Sequence, residues 1–381
     1  MINRNDEYLK SKIYSLDKDL RIGLNCVSMN YSGLLELNDM MYLALYYTLY
    51  EFIYNVDGFT SFINALPPEE NISKENPLIL VGKTGSVFLR DYYAYIDQSI
   101  ENSAAFSINS FDINMDLKEV KKQFLDKDIP VIFPCDIYYF YDDYKRLNAN
   151  MLYFHSGTHK SMLVDIDFEN EKCLLVDKFY RYVGEVKLED FMKALHSDYN
   201  DKDMNNSFQY MKINPKDNIK DLELEILKKH FQTMLEMKEN DFVMLNGRKY
   251  YRNISGIRSF IDTYDEMAES MMKQKKEYAP LFVTHLLRPI FLQKISYSVL
   301  IGYFAKRFNN DILQRISDEA NTLSKLWTKV DMLCDKCYLS KNSLVSYKQK
   351  YIKVFKEIIK EEEKFFELIS DNVMGLEDLK A

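Results

Sequence analysis

The stretch HKSMLVDIDFENEKCLLVD, residues 159–177, decides the fold of the first half of the chain. It contains two runs rich in apolar residues, 160–167 and 173–177, separated by a polar turn. Two such runs joined by a short polar segment are typical of a β-hairpin. His159 precedes the first strand and Asp177 ends the second, at similar distances from the turn. We therefore expect the hairpin to bring a histidine and a carboxylate side by side.

Further strands and short helices are expected around this hairpin, because apolar runs alternate there with segments of helical spacing. The run at 38–56 is nearly all apolar or aromatic and is too long for a typical strand, so it is expected to be a buried helix. Strands are predicted at 77–84, 104–111, 129–136 and 207–214, and the other helices at 116–125 and 186–197.

The second half of the chain has a different pattern from about residue 218 onward. Apolar residues recur there at i, i+3 and i+4 with charged residues on the opposite face, which predicts amphipathic helices. The helical runs are 223–237, 255–274, 311–333 and 347–369. The sequence INPKDN at 213–218 marks the boundary, so we expect a mixed domain at 1–215, a helical domain at 216–381 and an α+β fold class.

The composition excludes several classes of protein. Of 381 residues, 47% are hydrophobic, enough for a large core, and only 11 are glycine and 8 proline, which excludes a collagen-like or low-complexity chain. A net charge of −8 argues against nucleic acid as a partner. Five scattered cysteines form no disulfide framework. With neither a secretory signal nor an apolar run long enough to span a membrane, we expect a cytoplasmic protein with no membrane partner.

Cys26 is the strongest candidate for a reactive residue. It lies in RIGLNCVSMNYSG, residues 21–33, where Asn25 is a suitable N-cap and Gly33 a suitable C-cap of a short helix. The partial positive charge at a helix N-terminus stabilises a thiolate, and the thiolate is the nucleophilic form of cysteine. A buried and inert cysteine is the alternative interpretation.

Together with the hairpin, Cys26 completes a candidate catalytic triad. Acyl chemistry needs a nucleophile, a general base and a group that fixes the tautomer of the base. Cys26, His159 and Asp177 supply these three roles. His155, four residues before His159, is a weaker alternative base.

The segments PVIFPCDIYYF (130–140), HSGTHKSMLVDIDFENEKCLLVDKFY (155–180) and KLEDFMKAL (187–195) resemble the N-terminal domain of the butirosin biosynthesis protein H family. The resemblance extends over roughly residues 20 to 200 and implies a papain-like fold. It also implies Cys26 as nucleophile, His159 as base and Asp177 as orienting acid.

The same resemblance implies an activity and its partners. Members of this family take an acyl group from a phosphopantetheine thioester of an acyl carrier protein onto the cysteine, and transfer it to an amine to form an amide. The chain is also similar to the cysteine-protease-like amide synthases of closthioamide biosynthesis, whose acceptor is a diamine. The resemblance therefore implies natural-product biosynthesis without a cofactor, with the helical domain shaping the acyl pocket.

Two departures from the family pattern leave alternatives open. Asp165 replaces a glycine near the end of the histidine strand, and Lys178 replaces a proline after Asp177. Asp165 is therefore an alternative to Asp177 as the acid of the triad. An acidic side chain, of Asp165, Asp142 or Asp143, is expected to hold the ammonium group of the amine. A cysteine peptidase or amidase with the same triad, and a non-catalytic interaction protein, are the competing functions.

No motif predicts a metal or a nucleotide cofactor. Cys334 and Cys337 form a CxxC at the predicted end of a helix, but no second pair completes a zinc site, so an exposed helix terminus is expected. The run LVGKTGS at 80–86 lacks the spacing of a phosphate-binding P-loop.

Overall fold

A computed structural model describes residues 7, 9, 26–37, 52–58, 106–145, 155, 159–200, 207–213, 219–245, 247–273, 279–340 and 344–373. The chain divides into two compact units, one made of 1–47 and 101–217 and the other of 48–100 and 218–381. This division lies close to the boundary expected at residue 215, and it assigns 48–100 to the second unit. Helices and antiparallel sheets are both present, so the α+β class is confirmed.

The secondary-structure elements of the described residues are numbered here in chain order. The strands are β1 (Ile53–Tyr54), β2 (Phe106–Asp112), β3 (Val131–Cys135), β4 (His159–Asp167), β5 (Lys172–Asp177), β6 (Tyr182–Lys187), β7 (Ser207–Ile213), β8 (Phe242–Leu245) and β9 (Arg248–Arg252). The helices are α1 (Cys26–Leu37), α2 (Leu117–Gln123), α3 (Tyr141–Lys145), α4 (Leu188–Leu195), α5 (Ile219–Glu239), α6 (Asn253–Asp262), α7 (Tyr264–Lys273), α8 (Ala279–Phe308), α9 (Asp311–Leu339) and α10 (Leu344–Val373).

The first unit is built on a six-stranded antiparallel sheet with the order β2–β7–β3–β4–β5–β6. The predicted strands that became β2, β3 and β7, the hairpin β4–β5, and the helices α2 and α4 are confirmed. Strand β6 was not predicted, because its sequence YVGEVK is short, contains a glycine and ends in charged residues that weaken the alternating pattern.

A one-residue β-bulge at Val164 interrupts the β4–β5 hairpin. Next to the turn, the strands pair in a register that would place Asp177 opposite Met162. Successive side chains point to opposite faces of a sheet, so that register would put Asp177 and His159 on different faces. Because the ladder shifts by one residue at the bulge, Asp177 lies opposite Ser161 and shares a face with His159.

The two faces of this sheet pack differently. One face forms a core with large buried side chains, among them Phe133, Phe140, Tyr144, Phe191 and Phe208. Helix α1 packs against the other face, and a Cβ atom on Gly33 would lie only 3.4 Å from Cε of Met162. The prediction that α1 ends at Gly33 is wrong, since the helix continues to Leu37. Gly33 lies within the helix, where it faces the side chains of Met162 and Lys178.

The second unit is mainly helical, as predicted, and contains a small sheet with the order β1–β9–β8. Its core includes Trp327, which is almost fully buried. The helix predicted at 255–274 is divided at Thr263 into α6 and α7, and the hairpin β8–β9 was not predicted.

Parts of the sequence-based prediction for this unit are wrong or lie outside the described residues. The helix predicted at 38–56 is wrong at Ile53–Tyr54, where the chain forms β1. Most of that run, and all of the strand predicted at 77–84, lie outside the residues that the structure describes. Within the described part of the chain, no helix has the length and apolar character needed to cross a membrane.

Candidate active site

Cys26 is the first residue of α1 that the structure describes. The N-terminal end of a helix carries a partial positive charge that favours a thiolate. Cys26 is 9% exposed, so it is largely shielded from bulk water. Its predicted cap, Asn25, lies outside the described residues.

His159 and Asp177 form a buried pair at the open end of the β4–β5 hairpin. Nε2 of His159 lies 2.5 Å from Oδ2 of Asp177, and the exposed fractions of the two side chains are 6% and 0%. Since Asp177 is opposite Ser161, His159 is its diagonal neighbour on the adjacent strand and not its direct partner. The structure thus brings together the histidine and the acid that the sequence predicted.

The Asp177 carboxylate is fixed by three further hydrogen bonds. Its Oδ2 accepts from the hydroxyls of Tyr144, at 3.1 Å, and Ser161, at 3.2 Å. Its Oδ1 accepts from the backbone N–H of Tyr180 at 3.1 Å. All of these groups donate toward the carboxylate oxygens, an arrangement suited to an ionised acid that orients an imidazole.

Cys26 and His159 are hydrogen-bonded to each other. Burial acts to raise the pKa of the Cys26 thiol, but the charge and hydrogen bond of His159 and the backbone N–H of Lys160 hold that pKa below its ordinary value. Burial acts to lower the pKa of His159, but the charges of Asp177 and Cys26 and the hydrogen bonds to both raise it to about 10. Both shifts favour a thiolate beside an imidazolium, relative to an isolated cysteine and histidine.

The geometry assigns a separate role to each nitrogen of the His159 ring. Because Nε2 is engaged with Asp177, Nδ1 is the nitrogen available to Cys26. A ring held in this way can give its Nδ1 proton to a leaving group and take a proton back from an attacking one. Cys26, His159 and Asp177 can therefore perform nucleophilic acyl chemistry.

The surroundings of the imidazole limit access by water and leave one reactive thiol. The rings of Phe179 and Tyr180 lie 5.6 and 5.0 Å from the His159 ring, centroid to centroid.

Cys135 pairs with His159 across β3 and β4. Burial and the nearby negative charges of Asp177 and Cys26 raise the pKa of the Cys135 thiol well above its ordinary value, so it stays protonated.

Asp165 does not take the place of Asp177. Its Oδ1 forms an ion pair with Nζ of Lys121 at 2.6 Å and also accepts from the backbone N–H of Ile166. Nε2 of His159 is bonded to Asp177 instead. Both alternative roles of Asp165, as triad acid and as holder of an ammonium group, therefore disagree with the structure.

His155, the weaker alternative base, belongs to a different cluster. Its Nδ1 lies 2.7 Å from Oδ2 of the buried Asp136, which also accepts a hydrogen bond from Ser197. The imidazole is stacked between the rings of Tyr138 and Tyr199, at centroid distances of 3.9 and 4.1 Å. The ring that hydrogen-bonds Cys26 is that of His159.

The sequence analysis missed the supporting residues of the site. Ser161 was detectable, because it lies two residues after His159 and therefore on the same face of a strand. Tyr144 and Asn30 gave no signal, since their contacts with the site depend on the packing of separate segments. Asn30 donates to the backbone carbonyl of Lys160 and is completely buried.

The described residues contain no group of three or more potential metal ligands. Cys334 and Cys337 lie in the last two turns of α9, as predicted, but the prediction that they are exposed is wrong, because both are fully buried. Tyr351 donates a hydrogen bond to Sγ of Cys334 at 3.2 Å, which gives this cysteine a structural role. The run at 80–86 lies outside the described residues.

Comparison with known proteins adds no relative to this description. No model of a known protein family matches the chain, and no curated protein matches it significantly. The papain-like fold and the relation to the butirosin biosynthesis protein H family therefore stay predictions, and the geometry of the site is the basis for a functional proposal.

Proposed function

We propose that the protein is a cysteine-dependent acyltransferase that forms an amide from an acyl thioester and an amine. The single observation that supports this proposal is the buried hydrogen-bonded series from Cys26 through His159 to Asp177. It provides a thiolate, a proton donor and acceptor, and a carboxylate that orients the imidazole.

In the first half-reaction, the Cys26 thiolate attacks the carbonyl carbon of the donor thioester. A bond forms between Sγ and that carbon, and the bond to the sulfur of the donor breaks. The imidazolium of His159 gives its proton to the departing thiolate, so the donor leaves as a neutral thiol. The acyl group is now a thioester of Cys26, and His159 is neutral.

In the second half-reaction, a neutral amine attacks the acyl carbon on Cys26. His159 accepts the proton that the attacking nitrogen loses, and the carbon–sulfur bond breaks. Cys26 departs as a thiolate beside the protonated His159, which restores the starting ion pair. The shielding of the imidazole by Phe179 and Tyr180 favours aminolysis, because hydrolysis requires water at the same position.

The donor and the biological setting extend the proposal. We propose a carrier protein with a phosphopantetheine arm as the donor and natural-product assembly as the setting, on the sequence resemblance described above. The non-catalytic alternative requires an inert Cys26, which is disfavoured by the pKa of its thiol, held below the ordinary value.

The test is intact-protein mass spectrometry after incubation with N-acetylcysteamine thioesters of aryl and alkyl acids, which mimic the end of a phosphopantetheine arm. We expect an acyl adduct on the wild type and none on Cys26→Ala, and faster loss of that adduct with 1,3-diaminopropane than in buffer alone. Equal loss in both would show a hydrolase. A Cys26 that forms no adduct and reacts with iodoacetamide like an ordinary thiol would refute the proposal.

A further inference from the structure

The buried side-chain amide of Asn30 lies between the two strands that hold His159 and Asp177. Its Nδ2 donates to the backbone carbonyl of Lys160 at 2.8 Å, and its Oδ1 accepts from the backbone N–H of Lys178 at 3.4 Å. Only this orientation of the amide satisfies both backbone groups, since one is an acceptor and the other a donor.

The Asn30 amide lies where the next backbone hydrogen-bonded pair of β4 and β5 would be expected. The β4–β5 pairing extends to Met162 opposite Val176, and the same register continued by two residues places Lys160 opposite Lys178. At that point the carbonyl of one residue and the N–H of the other are bridged by the Asn30 amide. The side chain thus replaces a peptide group where the two strands separate.

Both residues that Asn30 holds are direct neighbours of the site. Lys160 follows His159, and Lys178 follows Asp177. Asn30 itself is four residues after Cys26 in α1, which places the two on the same face of the helix, one turn apart. One side chain therefore joins the helix of the nucleophile to the strands of the base and the acid.

The peptide groups of Lys160 are both used by α1. Its carbonyl accepts from Asn30, and its N–H stabilises the Cys26 thiolate. A shift of the helix along β4 would therefore disturb the thiolate and the Asn30 contact together.

Other buried side chains also join α1 to the sheet, but not at the same position. Nζ of Lys178 forms an ion pair with Oε2 of Glu36 and donates to Oγ of Ser32 at 3.4 Å, and the hydroxyl of Tyr31 donates to Gln209 at 3.1 Å. Glu36 is ten residues after Cys26, or about 15 Å along the helix. Among these contacts, that of Asn30 is made to the backbone of the residues next to His159 and Asp177.

We propose that Asn30 is a positioning residue that sets the thiolate of Cys26 against the imidazole of His159. The inference rests on the proposed function only through the Cys26–His159 pair, and it concerns no substrate. Without this amide, α1 loses its hydrogen bonds to the backbone of Lys160 and Lys178. The pKa of the Cys26 thiol then moves toward its ordinary value.

The experiment measures the rate of Cys26 alkylation by iodoacetamide between pH 5 and 10, read by peptide mass spectrometry. In the wild type we expect an inflection below the ordinary thiol value of about 8.5. In Asn30→Ala the inflection should move up toward that value. The alkylation rate at pH 6.5 should fall at least tenfold, which is less than the ~100-fold loss that a 1 Å misplacement of reacting groups can cause.

Asn200→Ala is the matched control. Asn200 is also a buried asparagine, and its Nδ2 donates to the carbonyls of Ala194 and Leu195 at 2.9 and 2.8 Å. The variant loses two hydrogen bonds to backbone carbonyls in the same unit, and neither of them involves Lys160 or Lys178. We expect this variant to lose stability while its Cys26 profile stays as in the wild type.

Three outcomes separate the claims. A folded Asn30→Ala with the wild-type inflection overturns the positioning role. If Asn30→Ala does not fold, Asn30→Ser decides in the same assay, because one hydroxyl cannot bridge both backbone groups, and an unchanged inflection there overturns the inference. A wild type with ordinary thiol behaviour refutes the proposed function itself.

Discussion

Replacement of Asp177 by asparagine should convert the ion pair of the site into two neutral groups. Oδ1 must still accept from the N–H of Tyr180, so the new NH₂ group takes the place of Oδ2 and faces Nε2 of His159. A donor at that position requires Nε2 to be an acceptor, which moves the ring proton to Nδ1. The imidazole then presents a proton to Cys26 and cannot act as a base.

The magnitude follows from the pKa of His159. That pKa is about 10, against an ordinary value of 6.5, and the largest cause of the increase is the charge of Asp177. The difference corresponds to roughly 5 kcal/mol in favour of the protonated ring. Without the carboxylate, burial acts to lower the pKa of His159 and only its contact with Cys26 acts to raise it, so that pKa should fall well below 10 and the neutral ring should gain population at pH 7.

The consequences extend to Cys26, because His159 provides the main effects that lower its pKa. A neutral His159 no longer offers a positive charge to the thiolate, so the pKa of Cys26 should rise above its wild-type value and alkylation at pH 7 should be slower. Acyl transfer should fall further, since an incorrect tautomer costs roughly 10⁴-fold in a comparable Ser–His–Asp triad.

The assay is NMR titration of the histidine ring protons, with the His159 signal assigned by its loss in His159→Gln. In the wild type it should not titrate between pH 5 and 9, whereas in Asp177→Asn it should be neutral over most of that range. Asp165→Asn makes the same substitution in the same hairpin and should leave the signal unchanged, because Asp165 pairs with Lys121. A His159 that stays protonated at pH 8 in Asp177→Asn would refute the reasoning.

Three further predictions concern the surroundings of the site. Lys178→Met leaves Glu36 buried without its cation; burial, opposed by Lys178, already raises the pKa of Glu36 to about 7. A carboxyl group with a raised pKa stabilises the folded state below its unfolded pKa of 4.5, and this stabilisation is lost as the pH rises through 7. Urea denaturation of Lys178→Met should therefore show a free energy of unfolding about 3–5 kcal/mol lower than that of the wild type at pH 8, and a smaller difference at pH 5. The double variant Glu36→Gln/Lys178→Met should recover most of that loss. Tyr144→Phe removes one hydrogen bond from Asp177 and should cost about 1 kcal/mol while His159 stays protonated at pH 7; a neutral ring would contradict this. His155→Gln should leave the pH profile of Cys26 alkylation unchanged, since His155 is bonded to Asp136, and an altered profile would assign His155 to the site.

Local sequence patterns were sufficient to predict the hairpin and a helix that contains Cys26. Two runs rich in apolar residues, 160–167 and 173–177, and the polar turn between them predict the hairpin, and these signals are contained in consecutive residues. The bulge at Val164 gave no signal in the sequence. The pairing of His159 and Asp177 was predicted from their similar distances to the turn, although without the bulge the register next to the turn would place them on different faces of the sheet.

Other differences arose where tertiary contacts outweigh local preference. Gly33 resembles a helix C-cap in sequence, but α1 continues through it to Leu37 along the sheet. The hairpin β8–β9 lies in a region dominated by helical spacing, and it is completed by β1 from a distant part of the chain. Pairings of such large separation leave no trace in a local window of sequence.

The bulge in the β4–β5 hairpin has a consequence for the comparison of sequences. It accommodates one additional residue in β4. A homologous chain that lacks Val164 would therefore pair β4 and β5 without a bulge and keep the same cross-strand pairs. Its histidine and aspartate would then be 17 residues apart instead of 18, and both would still share a face of the sheet. Deletion of this residue is therefore expected to be neutral for the site, whereas a deletion within β5 would change which residue lies opposite Ser161. Alignments should place the gap at Val164, and a search pattern should allow both spacings.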